Sequence, residues 1–164
     1  MEHAIDSDVL DLAIIEFDPE LGTQFFKDAA YVMDHRTAGT ATVGHDLVVN
    51  GLFKDSTTID GGKISPTFGL IEFTERGPSG FDMALRKAEG AYVDPQWVSL
   101  TGFSGAPVFD VTAKRLCGMV VRATMPARDR AIVHYIDIVD VVEALKAVAD
   151  GTLQAKYKKI IAVP

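Results

Sequence analysis

"VSLTGFSGAPVFD", residues 98–110, sets a serine between two glycines and follows it with a proline and a strand-like Val-Phe. One interpretation is a tight surface turn, because glycine, serine and proline are common turn residues. The other is a serine presented as a nucleophile, with the backbone N–H groups of Gly102 and Ser104 directed at one point beside it. A catalytic serine of this kind also needs a base and an acid from elsewhere in the chain.

The length and composition indicate one domain. The chain has 164 residues, 48% of them hydrophobic, which is enough for one buried core. Its net charge of −7 argues against a nucleic-acid surface, which needs clustered Lys and Arg, and no apolar run reaches the ~20 residues of a membrane span. The first residues, MEHAIDSDVLD, carry no secretion signal, so the cytoplasm is the default expectation. Cys117 is the single cysteine, which excludes an internal disulfide and any cysteine-based zinc site.

Short apolar runs alternate with turn signals along most of the chain, which favours a small closed barrel of about seven or eight short strands. A Gly61-Gly62 turn, a loop at 76–80 and a hairpin through 111–115 are expected between them. The candidate strands lie at 10–17, 40–43, 47–49, 57–64, 68–74, 97–100, 108–109, 116–121 and 132–136.

A C-terminal helix follows the last strand. Apolar residues recur there at helical spacing, with Asp137 or Asp140 as the N-cap: Val139, Val142, Leu145 and Val148. Residues 25–33 can form a second, short helix.

The serine turn fits one of two known catalytic patterns. The nucleophile elbow of α/β-hydrolases, G-x-S-x-G before a helix, fails here because the last glycine is missing and a strand follows. Residues 102–108, Gly-Phe-Ser-Gly-Ala-Pro-Val, instead match G-x-S-G-x-P-V and so resemble the serine turn of chymotrypsin/trypsin-like serine proteases. The resemblance implies that Ser104 is the nucleophile, that Gly102 and Ser104 form the oxyanion hole, and that Gly105 leaves space behind the serine.

Other segments extend the resemblance from about residue 9 to residue 149. Asp11-Leu12-Ala13-Ile14-Ile15 is similar to the family's strand D-[IL]-A-[LV]-[LI], which makes Asp11 the triad acid. The strand at 116–121 and the terminal strand and helix are similar to the family's last elements. The implied fold is all-β: an antiparallel six-stranded Greek-key barrel, of the bacterial trypsin-like type, with a C-terminal α-helix.

The sequence departs from the family in its histidines. The family's order is His, Asp, Ser, yet only His3 precedes Asp11. This implies a partial trypsin-like peptidase domain over 1–164, in which most of the histidine-bearing first barrel is absent. Its expected parts are a first-barrel remnant with the aspartate strand at 1–20, the second barrel at 21–137, the helix at 138–150 and a tail at 151–164.

All four histidines are expected to be surface or structural residues: His3, His35, His45 and His134. His45 is the alternative base, although it follows Asp11 in the chain. With Asp46 it could also suggest a metal site, but no second cluster of ligands supports one. No metal and no cofactor are expected.

The resemblance also implies a pocket for a substrate side chain. Val98 would form its floor, with walls from Ser99 and from the strand Val121-Arg122-Ala123. No acid occupies the floor, so a preference for Lys or Arg is not supported, and an apolar or small side chain is favoured.

Two main functions remain open. The first is a trypsin-like serine endopeptidase that acts on a peptide or protein substrate but is inactive or incomplete as this chain, because the triad histidine is missing. The second is a non-catalytic, protease-like module that binds peptides or packs against a partner; a barrel scaffold unrelated to the family is a distant third. The missing half further predicts self-association through residues 10–17, or a complementing N-terminal segment.

Overall fold

The computed structural model describes residues 37–60, 63–80, 85–90 and 99–151. The elements within these ranges are β1 (Asp46–Asp60), β2 (Lys63–Pro78), β3 (Leu85–Gly90), β4 (Pro107–Asp110), β5 (Arg115–Ala127), β6 (Arg130–Asp137) and α1 (Ile138–Ala149). The strand expected at 10–17 and the short helix expected at 25–33 lie outside the described residues, as do Asp11 and Val98.

The six strands form a closed antiparallel barrel in the order β1-β2-β3-β6-β5-β4. Strands β1, β2 and β3 are consecutive neighbours, and β4 returns to pair with β1. This spatial order, 4-1-2-3, defines a Greek key. The prediction of an all-β, six-stranded antiparallel barrel with a C-terminal helix is confirmed.

The barrel interior is built from every second residue of its strands, because successive side chains of a strand point to opposite faces. In the first hairpin, Leu47 is paired with Phe73 and Val49 with Ile71. These four side chains are buried together with others of the core, including Val108, Val120, Val133 and Tyr135. The alternation visible in the sequence therefore places the core correctly.

The first hairpin and its surroundings differ in part from the prediction. Asp60 pairs with Lys63, whereas residues 61–62, at which a turn was expected, lie outside the described residues. The loop expected at 76–80 is wrong over its first half, because β2 continues to Pro78 through a bulge at Gly77. The strand expected at 40–43 is also wrong: this segment turns at Val43-Gly44, and an isolated bridge joins Ala38 to Leu116. Of the strand expected at 97–100, residues 99–100 are described, and they are not in a strand.

Strand β3, residues 85–90, was not expected from the sequence. Its sequence, LRKAEG, contains three charged residues, and only Ala88 and Gly90 are buried. The charges are compensated by ion pairs: Arg86 with Glu75 of β2, and Lys87 with Glu89. Because Arg86 is paired with a residue of another strand, residues 85–90 carry no hydrophobic pattern from which a strand could be predicted.

Helix α1 begins directly after β6. The Val139 N–H donates a hydrogen bond of 3.0 Å to the Asp137 carboxylate, which confirms Asp137 as the N-cap. No helix in the described part of the chain is long and apolar enough to cross a bilayer. The chain divides into two compact units; Ala38–Val141 holds all six strands, and the other unit comprises Met1–Thr37 and Val142–Pro164.

Candidate functional site

Residues 99–107, called the serine turn below, enter β4 at one end of the barrel. Three residues of the turn, Leu100, Phe103 and Ala106, are buried at intervals of three, whereas Ser104 is exposed. The Phe103 ring meets the Phe53 ring edge-on, with 4.9 Å between the ring centroids. Buried residues before and after Ser104 in the chain therefore hold it at the surface.

Backbone hydrogen bonds fix the shape of the turn. The Phe103 N–H donates to the Leu100 carbonyl at 3.2 Å, and the Ala106 N–H donates to the Phe103 carbonyl at 3.0 Å. Two further bonds connect the turn to β5: Gly105 N–H to the Val120 carbonyl at 2.7 Å, and Val120 N–H to the Ala106 carbonyl at 2.9 Å. The turn is thus positioned by the barrel and does not depend on its own bonds alone.

Gly102 and Gly105 both adopt a left-handed backbone conformation, with φ of 102° and 84°. Side chains disfavour this region, which accounts for glycine at both places. A Cβ at Gly105 would meet no atom within 4 Å of the described residues, so crowding is not what requires glycine at this position. Its backbone conformation is the constraint.

Two amides of the turn have no hydrogen-bond partner among the described residues. The N–H groups of Gly102 and Ser104 donate to no group of the described residues. Both residues are exposed. Unpaired donors at the surface are available to a ligand or to water.

The Ser104 hydroxyl is hydrogen-bonded to the backbone and not to a base. Its Oγ donates to the Val121 carbonyl of β5 at 2.9 Å. Neither His45 nor His134, the two histidines within the described ranges, makes a hydrogen bond with Ser104. A serine in this state is a weak nucleophile.

His45 is engaged at the other end of β4. Its Nδ1 donates to the Asp110 carboxylate, at 2.9 Å from Oδ2 and 3.1 Å from Oδ1. Asp110 is the last residue of β4 and is fully buried, whereas Ser104 precedes the first residue of that strand. His45 is therefore the partner of Asp110 in this structure.

Asp110 is held in its ionised form. Burial opposes ionisation, but the Ala113 N–H, at 2.8 Å, and the His45 ring both donate to the carboxylate and together lower its pKa below the ordinary value. The carboxylate thereby connects the β4–β5 turn to the residues that precede β1.

His134 lies on β6, directly opposite Arg122 of β5. It is buried, and burial lowers its pKa, with further lowering by the positive charges of Arg122 and Lys87. His3 and His35 lie outside the described residues.

An open cavity of about 450 Å³ lies beside Ser104. The residues expected in the pocket wall, Ser99 and Val121-Arg122-Ala123, border this cavity together with Gly102 and Ser104. The structure adds further bordering residues: Leu100, Thr101, Thr124 and Met125. Thr124 and Met125 lie on the same strand as Val121, so extending the predicted strand further along the sequence would have identified both as pocket residues.

The described residues contain no group of three or more His, Cys, Asp or Glu that could bind a metal ion. Cys117 is buried and its thiol donates to the Val108 carbonyl; burial raises its pKa to about 12. A thiol with such a pKa is unreactive at neutral pH.

The fold and the turn together define a class: a closed Greek-key barrel that presents a serine in a glycine-bounded turn beside a cavity, an arrangement compatible with a trypsin-like barrel. No protein-family model matches the chain, and the search of curated proteins found no match either.

Proposed function

We propose that this barrel carries the nucleophile of a trypsin-like serine endopeptidase, with Ser104 as that nucleophile. The observation that carries the proposal is the environment of Ser104: an exposed serine, two amides of the same turn that are unpaired among the described residues, and an open cavity beside them. Asp11 is the proposed acid of the triad. Val98, Ser99, Val121 and Ala123 are the proposed pocket for the substrate side chain.

The proposed reaction begins with attack of Ser104 Oγ on the carbonyl carbon of a peptide bond. The carbonyl oxygen then becomes negatively charged, and the N–H groups of Gly102 and Ser104 stabilise it by hydrogen bonds. A base takes the serine proton and later gives it to the leaving amine. The left-handed conformation of Gly102 suits an amide that must face outward from the turn.

The base of this reaction is not provided by the described residues. His45 is bound to Asp110 beyond the far end of β4, and His134 makes no hydrogen bond with Ser104. We therefore propose that an imidazole has to reach Ser104 from elsewhere, for example from a complementing N-terminal segment. Without it, the chain is inactive or nearly so.

One observation favours the second function, a non-catalytic module that binds peptides or packs against a partner. The Ser104 proton is donated to the Val121 carbonyl, as expected for a serine that only stabilises its turn. The two functions share the same cavity and differ in whether Ser104 Oγ can form a covalent bond.

A peptide boronic acid separates them, because its boron binds a serine oxygen as a tetrahedral anion that resembles the proposed intermediate. The endopeptidase proposal predicts a tetrahedral ¹¹B NMR signal and shifted amide resonances of Gly102 and Ser104. The signal should disappear in Ser104→Ala and persist in Ser65→Ala, which removes an exposed serine of β2. Peptide binding that produces the same shifts in Ser104→Ala, with no tetrahedral boron in either protein, would support the non-catalytic module instead.

A further inference from the structure

The cavity beside Ser104 is bordered by one charged residue. Of its ten bordering residues, Arg122 alone is ionisable, and no carboxylate is among them. The exposed Arg122 forms no ion pair or hydrogen bond with another residue in the described part of the chain. In contrast, Arg76, Arg86 and Arg130 are each paired with a glutamate. Arg122 is thus a cation at the cavity wall that has no partner within the described part of the chain.

Hydroxyl groups complement this charge. The cavity border includes Ser99, Thr101 and Thr124. The Ser99 hydroxyl donates to Thr101 Oγ1 at 2.7 Å, which leaves the Thr101 proton available to another acceptor. Thr124 follows Arg122 by two residues on β5 and therefore lies on the same face of that strand. The residues that border the cavity therefore offer a ligand one cation and several hydroxyl donors.

A row of cross-strand neighbours runs from Arg122 over β6 to β3. His134 faces Arg122 across the β5–β6 pairing, and Lys87 faces His134 across the β6–β3 pairing. Lys87 shares the single Glu89 carboxylate with Arg76 and Arg130, so these residues keep a net positive charge. Arg122 is the member of the row that borders the cavity.

We propose that the cavity beside Ser104 selects peptides with an acidic side chain, glutamate or aspartate, through Arg122. This inference rests on the proposed function, since it takes the cavity to be the pocket for the substrate side chain. A guanidinium forms strong, directed hydrogen bonds with a carboxylate, and the hydroxyls of Thr101 and Thr124 can donate to its remaining lone pairs. Arg122 was expected in the pocket wall, but the preference inferred from the sequence, an apolar or small side chain, rested on the residue at the pocket floor alone.

The test uses three acetylated tripeptide amides that end in Glu, Gln or Lys, so that the side chain carries the only carboxylate. Their affinities are measured by calorimetric titration at low ionic strength. The Glu peptide should bind about tenfold tighter than the Gln peptide, as expected for a charge-assisted pair. A Gln peptide with a free C-terminal carboxylate distinguishes binding of the chain terminus from binding of the side chain.

Variants assign the effect to Arg122. Arg122→Gln should abolish the preference for Glu, and Arg122→Glu should reverse it in favour of Lys. Arg128→Gln removes a similar exposed charge from the β5–β6 turn, outside the cavity border, and should retain the preference. Thermal unfolding of each variant shows whether it is folded.

Equal affinity for the Glu and Gln peptides, no binding of any peptide, or a preference that survives Arg122→Gln would overturn the inference. Its failure is distinguishable from that of the proposed function. A Glu preference that depends on Arg122 without a boronate adduct at Ser104 contradicts the nucleophile alone. An adduct without a Glu preference contradicts the role of Arg122 alone.

Discussion

At the scale of single residues, Asp110 and His45 form the polar pair that is most easily mistaken for catalytic machinery. A carboxylate bound to Nδ1 of a histidine is the arrangement that orients the base in a serine protease. Here Asp110 is fully buried and also accepts the Ala113 N–H. The pair connects the segment before β1 to the β4–β5 turn, so we assign it to stability.

The first prediction follows from the lowered pKa of Asp110. A carboxylate whose pKa is lower in the folded state stabilises the fold above its unfolded pKa of about 3.9 and loses this contribution as pH falls through the folded value. Asp110→Asn should therefore lower the free energy of unfolding at pH 7 by about 1–3 kcal/mol, the cost of breaking a buried hydrogen-bonded pair. Urea denaturation at a series of pH values measures this difference.

The difference between Asp110→Asn and the wild type should shrink as the pH falls below the unfolded value. Asp129→Asn, at an exposed position in the β5–β6 turn, is the control and should change little at any pH. A loss of stability for Asp110→Asn that stays constant across the acidic range would contradict the ionised state of Asp110.

At the scale of elements, the serine turn depends on β1 as well as on its own glycines. A Cβ on Gly51 would lie 2.5 Å from Cδ1 of Phe103. Phe103 is the central anchor of the turn, so β1 can accommodate the turn only if this position has no side chain.

The second prediction is that Gly51→Ala displaces the serine turn. Overpacking of a core costs about 1–3 kcal/mol, and the displacement should also shift the amide resonances of Gly102, Ser104 and Gly105. Chemical denaturation and ¹⁵N NMR measure the two effects. Adding Phe103→Leu should recover part of the lost stability. An unchanged spectrum in Gly51→Ala would show that the turn is independent of β1.

The turn and most strands were predictable from sequence because their causes are local. Gly102 and Gly105 stand where the backbone is left-handed, and the alternation around Leu47 and Phe73 marks their strands. Strand β3 was not predictable, because the charge of Arg86 is compensated by Glu75, which belongs to another strand. The continuation of β2 through Gly77 depends on a bulge whose partner strand is β3 itself.

The candidate site was only partly predictable for the same reason. The G-x-S-G-x-P-V pattern points to Ser104 and its amides, which are all within one turn. The bond from Ser104 Oγ to Val121 spans 17 residues, and the His45–Asp110 bond spans 65. Such contacts follow from the barrel topology, which a single sequence does not specify.

At the scale of the whole barrel, a buried polar network connects three strands. Glu75 of β2 is fully buried; it accepts a hydrogen bond from Tyr135 of β6 and forms an ion pair with Arg86 of β3 at 2.7 Å. Arg86 also donates to the Ala41 carbonyl at 2.9 Å. The network therefore closes the barrel across β2, β3 and β6 and fixes the segment that precedes β1.

The third prediction concerns this network. Arg86→Met leaves the Glu75 carboxylate buried without its cation and should lower the free energy of unfolding by about 3–5 kcal/mol. The double variant Arg86→Met/Glu75→Met removes both charges and should lose less stability than Arg86→Met alone. Guanidinium denaturation gives both values. A double variant that is less stable than the single variant would contradict the interpretation.

The whole molecule also determines the state of Ser104, because the barrel presents the hydroxyl, the amides and the cavity but, in its described part, no imidazole beside them. We propose that Ser104 is a nucleophile that lacks only a base. The test is the rate at which a fluorophosphonate labels Ser104, with and without added imidazole, in the wild type and in Ser104→Ala. We expect slow labelling that rises with imidazole concentration, maps to Ser104 and is absent from Ser104→Ala. Fast labelling without imidazole that is lost in Ser104→Ala would show that the chain already supplies a base. No labelling of Ser104 at any imidazole concentration would show that Ser104 is not a nucleophile. Either result would contradict the proposal that Ser104 lacks only a base.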